Sequence, residues 1–223
     1  MKMSNNKHSS ITMVMIFVMS TLLIGYTPPV AQGASVVITD AVQIVNGGAI
    51  NERMASMTSD SEGNIHVVWS RNTQHLYYSM LDPRAQTLID ATQISNPGSH
   101  RAWHPDVDID ADDRVHVVWA NKASQHEILY TLIDPSLDDQ DGTASDDSTI
   151  SIIDDTEVTK RQQNRDWPAI AVDSQNNAHI VWEDSFDRHD KYFQQPQIYY
   201  KFLEVDEASR EAITAIDSTL LTP

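Results

Sequence analysis

Residues 56–60, 106–110 and 169–173 alternate. Each sets a large apolar side chain, Met57, Val107 or Ile170, beside a small or polar one, Thr58, Asp108 or Ala171. Alternation over a few residues is the period of a strand with one face covered. A bend follows at Gly63-Asn64, Asp113-Arg114 and Asn176-Asn177, built from residue types that tolerate the positive φ of tight hairpin turns. Then comes an apolar run ending in Trp: I-H-V-V-W at 65–69, V-H-V-V-W at 115–119 and A-H-I-V-W at 178–182. Each of the three units therefore predicts a β-hairpin.

Two further strands complete each unit. Tyrosines mark the third, at 76–78, 128–130 and 198–200. The fourth is an Ile-Asp-x-Thr element near 89–95, 154–159 and 216–222, and residues 35–45 carry the same pattern ahead of the first unit, predicting a leading strand. The strands are rich in Val, Ile, Tyr and Trp and are separated by Gly, Asn, Asp and Pro. Residues 206–215 are the sole candidate for a helix.

The spacing divides scaffold from loops. His lies six residues and Trp nine residues after the shared Asp60, Asp110 or Asp173 in every copy. From that Trp to the last Tyr of the third strand the distances are 9, 11 and 18 residues, and from that Tyr to the Asp of the fourth strand 12, 24 and 17. Length variation of this kind belongs in surface loops, where function is usually placed. Four-strand units of this length, repeated, predict an all-β, propeller-like array of four-stranded antiparallel blades. The blades span about 46–95, 96–159 and 160–223, within a repeat domain of residues 34–223. Closed propellers carry roughly four to eight blades, so three blades plus one leading strand read as an incomplete propeller, or as one that self-associates with another chain to close.

The order P-x-[I/V]-x-[V/I]-D, turn, H-[V/I]-V-W, [I/L]-Y-Y resembles the bacterial neuraminidase repeat of sialidase-like β-propellers. Residues 105–110 and 168–173 carry the match best. The Asp box of that family is degenerate here. Its place holds Leu81-Asp82-Pro83-Arg84, Ile133-Asp134-Pro135-Ser136 and Leu203-Glu204-Val205-Asp206, which lack the Gly and Trp. The resemblance implies sialidase-like blades, and a ligand funnel on the face where the chain enters each first strand. It does not extend to sialidase activity.

Composition adds an address and an exclusion. Lys2 and Lys7, an apolar run over 11–24 and the small residues of Ala31-Gln32-Gly33 read as a signal peptide over residues 1–33, which implies a secreted or periplasmic protein. The net charge is −17, and losing residues 1–33 removes two Lys and no acid, giving −19. Such a surface repels phosphate backbones, which argues against nucleic-acid partners. With no cysteine, stability must come from the core alone.

The repeated His66, His116 and His179 suggest a metal triad, but equivalent positions in separate blades lie too far apart to share an ion at about 2 Å. They read as structural, as do the repeated Trp and Tyr. The segments leading into the first strands hold the ligand candidates: Arg53; Arg101, Trp103 and His104; Arg165 and Trp167. Guanidinium groups fork onto carboxylates and indoles stack on rings, so convergent Arg and Trp suit a carboxylated sugar. The bland alternative is that these Arg pair with surface acids. Glu183 and Asp184, with Asp187, follow the third hairpin and are the candidate catalytic acids, because a glycosidase needs two placed carboxylates. The acidic run around Asp139 and Asp141 is the candidate calcium site, although its spacing fails the EF-hand loop and a disordered acidic loop explains it as well. No cofactor other than this possible calcium is expected. These features predict an exported, non-catalytic binding module for a glycan or an extracellular protein. The alternative is a sialidase-like glycoside hydrolase fragment whose remaining blades are missing.

Overall fold

The computed structural model describes residues 40–45, 50–96, 101–123, 126–137, 150–159, 164–185, 196–206 and 211–221. The chain divides into Met1–Asp40 and Ala41–Pro223, and the architecture below belongs to the second unit. The signal peptide, residues 35–39 of the leading strand, Asp139, Asp141 and Asp187 lie outside the described residues.

Three four-stranded antiparallel sheets follow one another along the chain. Sheet 1 is β1 (Glu52–Ser59), β2 (Ile65–Arg71), β3 (His75–Leu81) and β4 (Thr87–Gln93). Sheet 2 is β5 (Ala102–Ile109), β6 (Val115–Asn121), β7 (Glu127–Ile133) and β8 (Ser151–Glu157). Sheet 3 is β9 (Asn164–Val172), β10 (Ala178–Ser185), β11 (Gln197–Asp206) and β12 (Glu211–Leu220). In each sheet the strands pair in sequence order. The described residues form no α-helix; of the helix candidate at 206–215, residue 206 ends β11 and residues 211–215 begin β12, while 207–210 lie outside the described residues. The leading strand is corrected over its described part. Residues 40–45 form no ladder, since strand composition without a partner sheet does not make a strand.

The bend between first and second strands folds as its residues dictate. Gly63, Asp113 and Asn176 have φ of 84°, 59° and 65°. The shared Asp closes each turn with its side chain: Asp60 Oδ1 accepts the N–H groups of Glu62 and Asn64 at 2.9 and 2.7 Å, and Asp110 and Asp173 do the same. The other carboxylate oxygen accepts from His Nε2 six residues on, at 3.3, 3.1 and 3.3 Å in the three sheets. Nε2 therefore carries the proton and Nδ1 must accept. It takes the O–H of the third-strand tyrosine, at 2.9 Å for His66–Tyr78, 2.8 Å for His116–Tyr130 and 2.8 Å for His179–Tyr200. The invariant Asp–His spacing and the strand pairing thus set one Asp–His–Tyr chain in each sheet, running from the turn toward the core.

The sheets pack face to face, with β1 beside β5 and β5 beside β9. Val115, Val117 and Trp119 pack with Val68, Leu76, Tyr78 and Ile94 of sheet 1. On the opposite face of β6, Val118 and Ala120 pack with Ile180 and Trp182 of sheet 3. Trp119 and Trp182 thus face the preceding sheet, and Tyr78 and Tyr130 the following one. The polar positions of the first strands also have a purpose. Asp106 accepts from Ser56 Oγ at 2.9 Å and from the Ile170 N–H at 3.0 Å, and Asp108 accepts the Val172 N–H at 2.7 Å. These carboxylates satisfy the unpaired edge of β9, which has no further strand beside it in its own sheet. Met57, expected as a covered apolar position, is instead 70% exposed.

Candidate functional site

The ligand candidates were expected in loops. The structure corrects this: Arg53, Trp103, His104, Arg165 and Trp167 lie inside the first strands, and Arg101 precedes β5 by one residue. The strands extend further because each contains a bulge. Pairing slips between Arg53 and Ser56, between Trp103 and Asp106, and opposite Val181 and Glu183. At the slip sit Met54, His104 and Trp167, each six residues before the shared Asp, with φ of 54°, 47° and 51°. Non-glycine residues rarely adopt this region, and its recurrence in three sheets marks a built feature that redirects these side chains.

The redirected residues meet across sheets. The His104 N–H lies 3.4 Å from Met54 Sδ. Its imidazole lies flat on the Trp167 indole, with centroids 3.6 Å apart and planes 15° apart. Trp103 also meets His104 edge-on, at 5.7 Å and 71°. Asp166 holds the cluster. It accepts His104 Nδ1–H at 2.6 Å and the Trp167 N–H at 3.0 Å, and it pairs with Lys122. The Lys122 ammonium also sits 4.9 Å above the Trp103 ring. Burial would raise the Asp166 carboxyl, but bonds from Lys122 and His104 outweigh it and hold the group below the usual carboxylate range. Trp167 is nevertheless 60% exposed. The result is an open indole face, backed by an imidazole and bordered by an ionised carboxylate.

The arginines do not converge on this face. Arg165 Nε pairs with Asp184 Oδ2 at 3.2 Å. The two residues face each other in the β9–β10 register, as Glu52 and Arg71 do in β1–β2, where the ion pair measures 2.8 Å. Asp184 therefore occupies a position of the repeat with its charges exchanged, and is no added cluster. Ala102 and Asn121 fill that position in sheet 2. Asp184 is buried, which pushes its carboxyl above the ordinary value against the pull of Arg165. Glu183 stands opposite Asp166 in the register. Arg53 donates to Asn51 Oδ1 at 2.9 Å, and the backbone N–H of Arg101 donates to Asn121 Oδ1 at 3.1 Å. Sequence reasoning passed over Asp166 and Lys122. The first lay inside the motif that supplied Arg165 and Trp167. Lys122 carried no signal, because its partner is 44 residues away.

The repeated His66, His116 and His179 each bond an Asp and a Tyr of their own sheet. Among the described residues no three His, Cys, Asp or Glu groups gather in a way that could hold a metal ion. No helix of the described residues is long and apolar enough to cross a membrane.

No family model matches the chain, and no curated protein matches it. Several solved structures share part of its course. A thermostable family-43 glycoside hydrolase is 12% identical, covering 78% of this chain and 54% of its own, with a TM-score of 0.46. An ulvan lyase of polysaccharide lyase family 25 is 9% identical, covering 74% and 43%, with a TM-score of 0.48. An endo-arabinase from Bacteroides thetaiotaomicron is 12% identical, covering 65% and 54%, with a TM-score of 0.38. The chain spans about half the length of these proteins.

Proposed function

We propose that this chain is a non-catalytic glycan-binding module, built of propeller-type blades related to the sialidase-like repeat and working outside the cytoplasm. A sugar ring stacks on the open face of Trp167. The observation that carries this reading is an indole that stays 60% exposed as a residue while an imidazole stacks against its ring. An aromatic ring fixed from behind offers contact area at little cost in side-chain entropy, and the Asp166 carboxylate is set to accept sugar hydroxyls.

The preferred glycan is uncharged. Lys122 is neutralised by Asp166 and Arg165 by Asp184. The whole chain carries a net charge of −17. A carboxylated sugar would bring a further anion to a site whose nearby cations are already engaged. Calorimetry with neutral and sialylated oligosaccharides tests this. Saturable heat with a neutral glycan that vanishes in Trp167→Ala supports the reading, and no binding to any glycan refutes it.

The rival reading is a glycoside hydrolase. It rests on Glu183 standing opposite Asp166 in the strand register, two carboxylates where a glycosidase needs a pair. Against it, Asp166 is held by Lys122 and His104. Release of a fluorogenic aglycone that disappears in Glu183→Gln would favour the hydrolase.

A further inference from the structure

Residues 42–45 run beside the face of β2 that carries Val67 and Trp69, and Val45 packs against Val67, Trp69 and Leu81. A groove of about 380 Å³ lies between them, lined by Val42, Ile44, Val45, Met54 and Trp69 together with Glu52 and Arg53. This volume falls near the lower end of the ~300–1,000 Å³ typical of small-molecule sites. The walls are mostly apolar, and the two charges are in different states. Glu52 is committed: it accepts from Trp69 Nε1 at 2.5 Å and from Arg71 Nε at 2.8 Å. Arg53 is exposed, and the one hydrogen bond of its side chain among the described residues is to the neutral Asn51. In a chain with 32 acidic residues against 15 basic ones, this guanidinium has no carboxylate partner among the described residues.

We infer that the groove is a second binding site, separate from Trp167, that takes an amphipathic carboxylate such as a medium-chain fatty acid. The tail lies along Val42, Ile44 and Trp69, and the carboxylate pairs with Arg53. A cation is disfavoured by Arg53, and a neutral apolar ligand makes no use of the guanidinium at the edge of the groove. A carboxylate turns that charge into a charge-assisted pair, the stronger class of hydrogen bond.

The test is titration calorimetry of the full chain with octanoate and with octanamide, which share a tail and differ in charge. Octanoate should bind saturably, at least about tenfold more tightly than octanamide, the scale of one charge-assisted bond. Arg53→Gln, a change at an exposed side chain, should bring octanoate down to the octanamide level and leave octanamide unchanged. Trp167→Ala should change neither. The proposal is overturned by the absence of saturable octanoate heat, by equal binding of the two ligands, or by full octanoate affinity in Arg53→Gln.

Discussion

His104 lies flat against Trp167, with ring centroids 3.6 Å apart, although the two residues belong to different sheets. Neither is glycine, yet both take positive φ at equivalent bulges, at 47° and 51°. The fold spends conformational strain to bring these two rings together. Because one face of Trp167 stays open, its loss should damage binding far more than folding. In Trp167→Ala, glycan affinity should fall more than about tenfold, while unfolding free energy changes by no more than ~1.5 kcal/mol, the scale of one aromatic pair. Calorimetry and urea denaturation of the same preparations measure both.

The Asp–His–Tyr chains differ in exposure, and their mutants should differ in the same order. His116 is 0% exposed and His179 36% exposed. Tyr130→Phe strands His116 Nδ1 away from water, costing about 1–3 kcal/mol, the desolvation cost of an unmet buried acceptor. In Tyr200→Phe, water can reach His179, and the loss should be under about 1 kcal/mol. Urea midpoints at constant slope should rank the two variants in that order.

Acid should weaken the protein in two stages. Burial lowers the His66 pKa, against the opposing pull of Asp60. A depressed folded value favours the neutral ring, so this contribution is present above the unfolded value of ~6.5 and is lost as the pH falls below it. Burial would raise Asp110, but bonds from His116 and Arg114 hold it at about 2. Its contribution is present above the unfolded value of ~3.9 and is lost as the pH falls toward 2. Stability against pH should therefore decline gently below ~6.5 and steeply below ~4. Asp110→Asn should flatten the lower stage.

The Arg165–Asp184 pair repeats Glu52–Arg71 with its charges exchanged, so exchanging them again should be tolerated. Asp184→Arg alone sets two guanidinium groups together and should cost about 3 kcal/mol, as breaking a buried pair does. Adding Arg165→Glu recreates the sheet 1 arrangement and should recover more than half of that loss. Thermal unfolding of the single and double variants reads the coupling.

Much of this scaffold could be read from residue spacing, because the interactions that fix it are local. Asp60, Gly63 and His66 lie within seven consecutive residues, and the same turn recurs at Asp110 and Asp173. The bulges could not be read in this way. Pro105 and Pro168 follow His104 and Trp167, and proline signals a strand boundary. On an unpaired edge at a bulge, however, proline loses no ladder bond. The strands therefore run on through residues expected in loops. The Trp167 cluster was half legible. Its ring-bearing residues, Trp103, His104 and Trp167, stood out, but pairing between Lys122 and Asp166 depends on how two sheets meet, and no local pattern encodes that.

Stacking of a neutral sugar on Trp167 is the core of the proposed function. The chain has five tryptophans, so its indole N–H nuclear magnetic resonances form a small set assignable by mutation. Titration with the best-binding neutral oligosaccharide should move the Trp167 signal most and leave the buried Trp119 and Trp182 in place. A glycan that binds while the Trp167 signal stays fixed, or a preference for sialylated over neutral sugars, would contradict the account.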